Sequence, residues 1–137
     1  MTPRFSLLVA VGLLLAACGS SSNTGTPLPS GAEPPAACAR ADADAVIAIS
    51  ADQLKFSAPC VVAPADKAFV VRFTNKETQP HDVAIYDGRD KKTKYLEGEV
   101  FSGPGVTKEY PVSPLPAGDY YFDCVIHAEM NGALYLR

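Results

Sequence analysis

Between residues 37 and 137 the apolar side chains recur mostly with period two. They sit in short runs rich in Val, Ile, Phe and Tyr, each bounded by Pro, Gly, Asp or Asn. Sustained helical periodicity is absent. The pattern predicts strands over residues 45–50, 55–62, 68–74, 82–86, 95–101, 107–112, 119–124 and 132–136. Glu97, Gly98 and Glu99 interrupt the fifth, where a loop fits equally well. Eight short strands at this spacing predict an all-β, two-sheet antiparallel sandwich. In the run 118–124 the side chains alternate faces, so Tyr120, Phe122 and Cys124 share one and Tyr121 and Asp123 the other. With Phe122 in the core, Cys124 is presented from the core side where the chain turns, and Asp123 points outward.

The first 36 residues follow other rules. A single cation at Arg4 precedes a short apolar run from Phe5 to Leu15, then Leu15-Ala16-Ala17-Cys18. The run is shorter than the roughly 20 residues a membrane-spanning helix needs, so residues 1–17 read as an export signal. Leu-Ala-Ala-Cys resembles the lipobox of bacterial lipoproteins, which implies cleavage before Cys18 and a lipid on it. Residues 19–36, GSSSNTGTPLPSGAEPPA, contain almost nothing to bury and read as a tether. The expected organisation is therefore a signal peptide at 1–17, a lipidated cysteine and linker at 18–36, and one domain at 37–137. That domain would lie outside the cytoplasm at the cell envelope, joined to a membrane through Cys18.

Composition narrows the function. The whole chain of 137 residues carries 12 Lys+Arg against 15 Asp+Glu, and no basic run is interleaved with aromatics. Nucleic acid is excluded as the expected partner. A multidomain enzyme is excluded by length. The run Arg89-Asp90-Lys91-Lys92-Thr93-Lys94 is a basic tip that reads first as a solvated loop and second as a docking patch. Gly103-Pro104-Gly105 reads as a turn.

Four cysteines have different contexts. Cys18 belongs to the lipobox. Cys38 and Cys60 have no histidine nearby and are paired here as a disulfide, which an exported chain permits; two buried thiols are the alternative. Cys124 begins the string Cys124-Val125-Ile126-His127-Ala128-Glu129-Met130, a thiol, an imidazole and a thioether in three-residue steps. His81 is the only other histidine. Two His and one Cys in a plane with a weak axial Met is an arrangement copper uses for electron transfer. Zinc takes thioethers poorly, and the spacings of zinc modules are absent. A c-type haem needs Cys-x-x-Cys-His, and a dinuclear copper centre needs a second thiolate. A nucleophilic Cys124 with His127 as base lacks any visible oxyanion loop.

The segments Phe73-Thr-Asn-Lys-Glu-Thr-Gln-Pro80-His81-Asp82-Val83 and Ala117-Gly-Asp-Tyr-Tyr-Phe-Asp-Cys124-Val-Ile-His127-Ala-Glu-Met130-Asn-Gly132 resemble the type 1 blue-copper (cupredoxin) family. Its plastocyanin- and amicyanin-like members are the nearest in pattern. The resemblance implies an eight-strand Greek-key sandwich holding one copper. His81, Cys124 and His127 would be equatorial ligands and Met130 axial, with Tyr120 at a fold-stabilising position. It also implies a one-electron carrier, not an enzyme, whose redox partners dock near His127, and a monomer is expected. A copper carrier or buffer would use the same ligands, and a metal-free contact module is a third reading. Two departures stand out. Asp82 and Val125 replace an Asn and a Ser or Thr whose side chains join the ligand loops in the family. Val125 has no hydroxyl, so that cross-loop bond is not expected, and Asp82 is expected to favour Cu(II). Ile126 and Ala128 replace prolines, which predicts a less rigid loop.

Overall fold

The computed structural model describes residues 31–137; the expected export signal at 1–17 and the expected lipid site at Cys18 lie outside the described residues. Twelve strands and no helix are found among them. Six form one sheet in the order β1 (Ala39–Arg40), β4 (Cys60–Ala63), β12 (His127–Leu136), β11 (Gly118–Cys124), β7 (Ala84–Tyr86), β8 (Lys94–Glu97). Four form the other, in the order β10 (Val106–Val112), β5 (Phe69–Asn75), β2 (Val46–Asp52), β3 (Lys55–Phe56). A small ladder joins β6 (Pro80–His81) to β9 (Phe101–Ser102).

The alternation read from the sequence builds the core. On β5, Phe69, Val71 and Phe73 are buried while Arg72 is exposed. They meet Ile47 and Ile49 of β2, Val61 of β4, and Leu134 and Leu136 of β12 in one cluster between the sheets. Gly132 is required on β12 because the Phe122 ring lies across it: a Cβ there would collide with that ring and come within 2.7 Å of the Pro59 carbonyl.

The all-β sandwich is as expected, with differences of detail. Three pairings, β1 with β4, β4 with β12 and β2 with β5, are parallel, so both sheets are mixed. Parallel neighbours cannot be joined by a tight hairpin, and here each pair is reached by a chain that leaves its sheet and returns. Twelve strands replace eight because two predicted runs are divided and the short β1 and β6 are added. The run 55–62 breaks at Pro59, which has no N–H to give a ladder and instead accepts the Ala133 N–H at 3.0 Å. The run 95–101 is both strand and loop, β8 and β9 around a break at Gly98. Asp123 does lie on the outer face, yet it is buried, because Lys91 folds over it from the basic tip and pairs with its carboxylate. Lys91 also covers the Tyr86 ring at 5.2 Å, and Arg89 sits 5.1 Å from the centre of Tyr121. Lys92 and Lys94 pair with Asp90 and Glu97, so most of the tip's charge is matched internally.

The sulfurs of Cys38 and Cys60 are bonded, which ties the strand entering the domain to β4 with Cα atoms 4.8 Å apart. Tyr120 donates its hydroxyl to the Pro116 carbonyl at 3.0 Å and fixes the loop that leads into β11. No helix among the described residues is long and apolar enough to cross a membrane.

Candidate metal centre

Two loops at one end of the sandwich supply the donor atoms. The first, between β5 and β7, carries His81. It is organised by Asn75, which is fully buried and fully satisfied. Its amide donates to the Gln79 and Phe101 carbonyls, each at 2.8 Å, and its carbonyl oxygen accepts the Glu77 N–H at 2.8 Å. The 103–105 turn closes on the same loop: the Gly103 N–H reaches the Glu77 carbonyl at 2.9 Å, and the Gly105 N–H reaches the Asn75 carbonyl at 2.8 Å. A side chain at Gly103 would meet both carbonyl oxygens at 2.5 Å, so only glycine fits. The loop is therefore held from both sides before any donor is considered.

The second loop is the hairpin between β11 and β12. Cys124 stands opposite His127 in the ladder, with a register shift between Asp123 and Cys124 and only Val125 and Ile126 at the tip. Neither tip residue has a positive φ, as expected of β-branched side chains, so the twist-matched turn with two left-handed residues is not used. The register shift at Asp123 and Cys124 supplies the bend instead.

Three donors converge. The Cys124 Sγ lies 3.5 Å from the His127 Nδ1 and 3.9 Å from the His81 Nδ1, and the donor atoms of the trio all lie within 4.8 Å of one another. The imidazole rings are 4.8 Å apart, tilted by 49°. Met130, buried on β12, is close to the three. His81 and Cys124 are buried, and His127 is half-buried directly after the exposed Val125 and Ile126.

The surroundings explain how the donors are held. One oxygen of the Asp82 carboxylate accepts the Val125 N–H at 2.8 Å, joining the two ligand loops. The expectation that Val125 breaks this link is thus corrected: the backbone amide makes the bond and needs no hydroxyl. Past the hairpin tip the Asn131 side chain donates to the Ala128 and Glu129 carbonyls. Glu77 approaches the His81 Nε2 at 3.2 Å, but off the axis of a hydrogen bond, so that buried nitrogen has no aligned partner. The same carboxylate oxygen accepts the Leu54 N–H at 2.8 Å. Burial pushes the Cys124 thiol up from its ordinary pKa, with the nearby Asp82 adding to the effect through a side-chain hydrogen bond and its charge.

These observations test the donor set against a metal. A thiol held protonated against two imidazole Nδ1 atoms, in a pocket with a thioether, is costly to bury and makes no strong hydrogen bond of its own. A cation at the centre of the trio would take all three. The four side chains that sequence reasoning named, His81, Cys124, His127 and Met130, are the ones the structure brings together. Sequence reasoning missed Asn75 and Glu77, although an Asn closing a strand six residues before a lone His was a visible signal for a loop-organising amide.

Comparison with known proteins agrees with this geometry. The model of the cupredoxin-like domain matches residues 7–135. No curated protein matches the chain by sequence. Among solved structures, dithionite-reduced auracyanin from Roseiflexus castenholzii is 18% identical with a TM-score of 0.61, over 70% of this chain and 99% of that one. Auracyanin A from Chloroflexus aurantiacus, a blue copper protein, is 19% identical with a TM-score of 0.58, over 67% of this chain and 98% of that one. Amicyanin from Paracoccus versutus is 25% identical with a TM-score of 0.51, over 70% of this chain and 84% of that one. The matched domain, with the sandwich and the two loops that bring His81, Cys124 and His127 together, places this chain in the cupredoxin-like family.

Proposed function

We propose that this protein is a one-electron carrier working through a single type 1 copper bound by His81, Cys124 and His127 with Met130 as the weak axial ligand. It would be exported and held at the bacterial cell envelope by a lipid on Cys18. The observation that carries the reading is the convergence of one buried thiol and two imidazole Nδ1 atoms, 3.5 and 3.9 Å away. Copper bound there would supply a Cu(II)/Cu(I) couple. The protein's own residues supply the constraint. Asn75 fixes the His81 loop, Asp82 ties it to the hairpin, and the Cys124–His127 ladder pair sets the remaining donors.

Such a scaffold holds its donors in one arrangement whichever charge the metal carries, which keeps reorganisation small. A half-buried His127 next to the exposed hairpin tip of Val125 and Ile126 supports an exit at that ring, where a redox partner docks. The Cys38–Cys60 bond suits an oxidising compartment. Burial of Cys124, His81 and Met130 favours retention of the metal over its delivery, and so favours an electron carrier over a copper carrier. Electron self-exchange of the copper-loaded protein, measured alongside copper loss to a chelator, tests the choice. The account predicts fast exchange with the metal retained. Rapid surrender of copper with slow exchange would refute it in favour of a copper carrier.

A further inference from the structure

The two ends of the sandwich differ in what they offer. β11 runs from Gly118 to Cys124 and β12 returns from His127 to Leu136, so the hairpin and its donors mark one pole and Gly118 and Arg137 the other. Six residue steps at strand rise separate them by roughly 20 Å. Leu54, Val100, Val106, Val125 and Ile126 are five of the six large apolar side chains exposed among the described residues. All five lie at the donor pole. Leu54 is bonded to Glu77, Val100 precedes the ladder partner of His81, Val106 pairs with Asn75, and the last two form the hairpin tip.

The N-terminal segment arrives at the other pole. The Arg137 guanidinium donates to the Ala32 carbonyl at 2.8 Å. It also bonds the Gly118 carbonyl at 3.1 Å and pairs with Asp119 at 2.6 Å. A second fastening follows at the Cys38–Cys60 disulfide. The chain is thus pinned twice to the sheet before β1 begins, and its first pin is at the pole away from the donors.

We propose that Arg137 fixes the exit of the N-terminal segment opposite the metal pole, so that the anchored protein turns its apolar rim away from the membrane, toward a water-soluble redox protein with an apolar docking face. This rests on the lipid-anchor reading of Cys18. The length of chain supports it. Thirteen residues, 19–31, separate Cys18 from the lead-in, and they span at most about 45 Å fully extended. A domain of this size is roughly 35 Å across. To lay the rim on the bilayer, Ala32 must rise about that far, which uses most of the available contour. Facing outward uses almost none.

The acylated full chain, isolated from membranes and placed in phosphatidylcholine nanodiscs bearing a gadolinium chelate on some headgroups, provides the test. Amide relaxation near Asp119 and Arg137 is expected to exceed that near Val125 and Ile126 at least about fivefold across a separation of roughly 20 Å. Arg137→Gln, which keeps the disulfide, is expected to lower that ratio at least about twofold by releasing Ala32 from the far pole. Stronger relaxation at Val125 and Ile126 overturns the orientation and points to a rim that lies on the membrane; equal relaxation at both poles overturns it in favour of a domain with no preferred pole. An unchanged ratio in Arg137→Gln overturns the role of Arg137. Failure of the chain to enter the nanodiscs overturns the anchor reading, and the orientation with it.

Discussion

Asp82 performs two tasks that two substitutions separate. Its Oδ1 accepts the Val125 N–H at 2.8 Å, and its charge sits buried beside the donors. Asp82→Asn keeps an acceptor at that position and removes the charge, whereas Asp82→Ala removes both. At an effective dielectric of about 20, two unit charges about 6 to 8 Å apart interact by roughly 2 to 3 kcal/mol. One electron's worth of that energy corresponds to roughly 90 to 130 mV. The negative charge stabilises Cu(II) over Cu(I), so Asp82→Asn is expected to raise the reduction potential by about that amount. Its thermal stability should fall by at most about 1 kcal/mol, the difference between a charge-assisted and a neutral bond. Asp82→Ala is expected to show a similar rise in potential and a larger loss, about 2 kcal/mol, because the link between the loops is gone. Protein-film voltammetry measures the potential, and chemical denaturation of the metal-free protein measures stability. An unchanged potential in Asp82→Asn would refute the electrostatic argument. Equal stability of the two variants would refute the cross-loop link.

Further outcomes follow from other contacts. Lys91→Met leaves the buried Asp123 carboxylate without its cation. Because the Lys91 side chain is 41% exposed, the expected cost is about 2 kcal/mol, below that of a fully buried pair, read by denaturation. Gly132→Ala forces the Phe122 ring and the Pro59 carbonyl apart and is expected to destabilise by about 1 to 3 kcal/mol or more, with melting temperature as readout. Replacing Cys38 and Cys60 together by Ser opens a loop of 22-residue separation and is expected to cost about 3 kcal/mol, seen as a lower denaturation midpoint. Stability of the metal-free protein should decline as pH rises above about 9.0, the ordinary value for a thiol. There the unfolded chain gives up the Cys124 proton while the folded one keeps it, so the contribution is full below that pH and lost above it.

The parts of this molecule that obey period two were legible without coordinates. Phe69, Val71 and Phe73 announce a half-buried strand, and Cys124, His127 and Met130 announce a metal loop by their chemistry and spacing. What escaped depends on contacts between segments far apart in sequence. Asp123 alternates outward correctly, yet its burial is decided by Lys91, 32 residues earlier, and no periodicity encodes that. The link between the ligand loops was misjudged because side-chain identity was weighed and the backbone was not. Val125 contributes an N–H whatever its side chain, and Asp82 finds it across a sequence gap of 43. Parallel pairing was equally invisible, since a run of alternating residues looks the same beside a parallel or an antiparallel neighbour.

The visible absorption spectrum during titration with Cu(II), of the protein and of Cys124→Ala, tests the central claim most directly. The account predicts an intense blue band that saturates at one equivalent in the protein and is missing from the variant. The absence of that band in a protein whose β-sheet circular dichroism is intact would contradict the copper site.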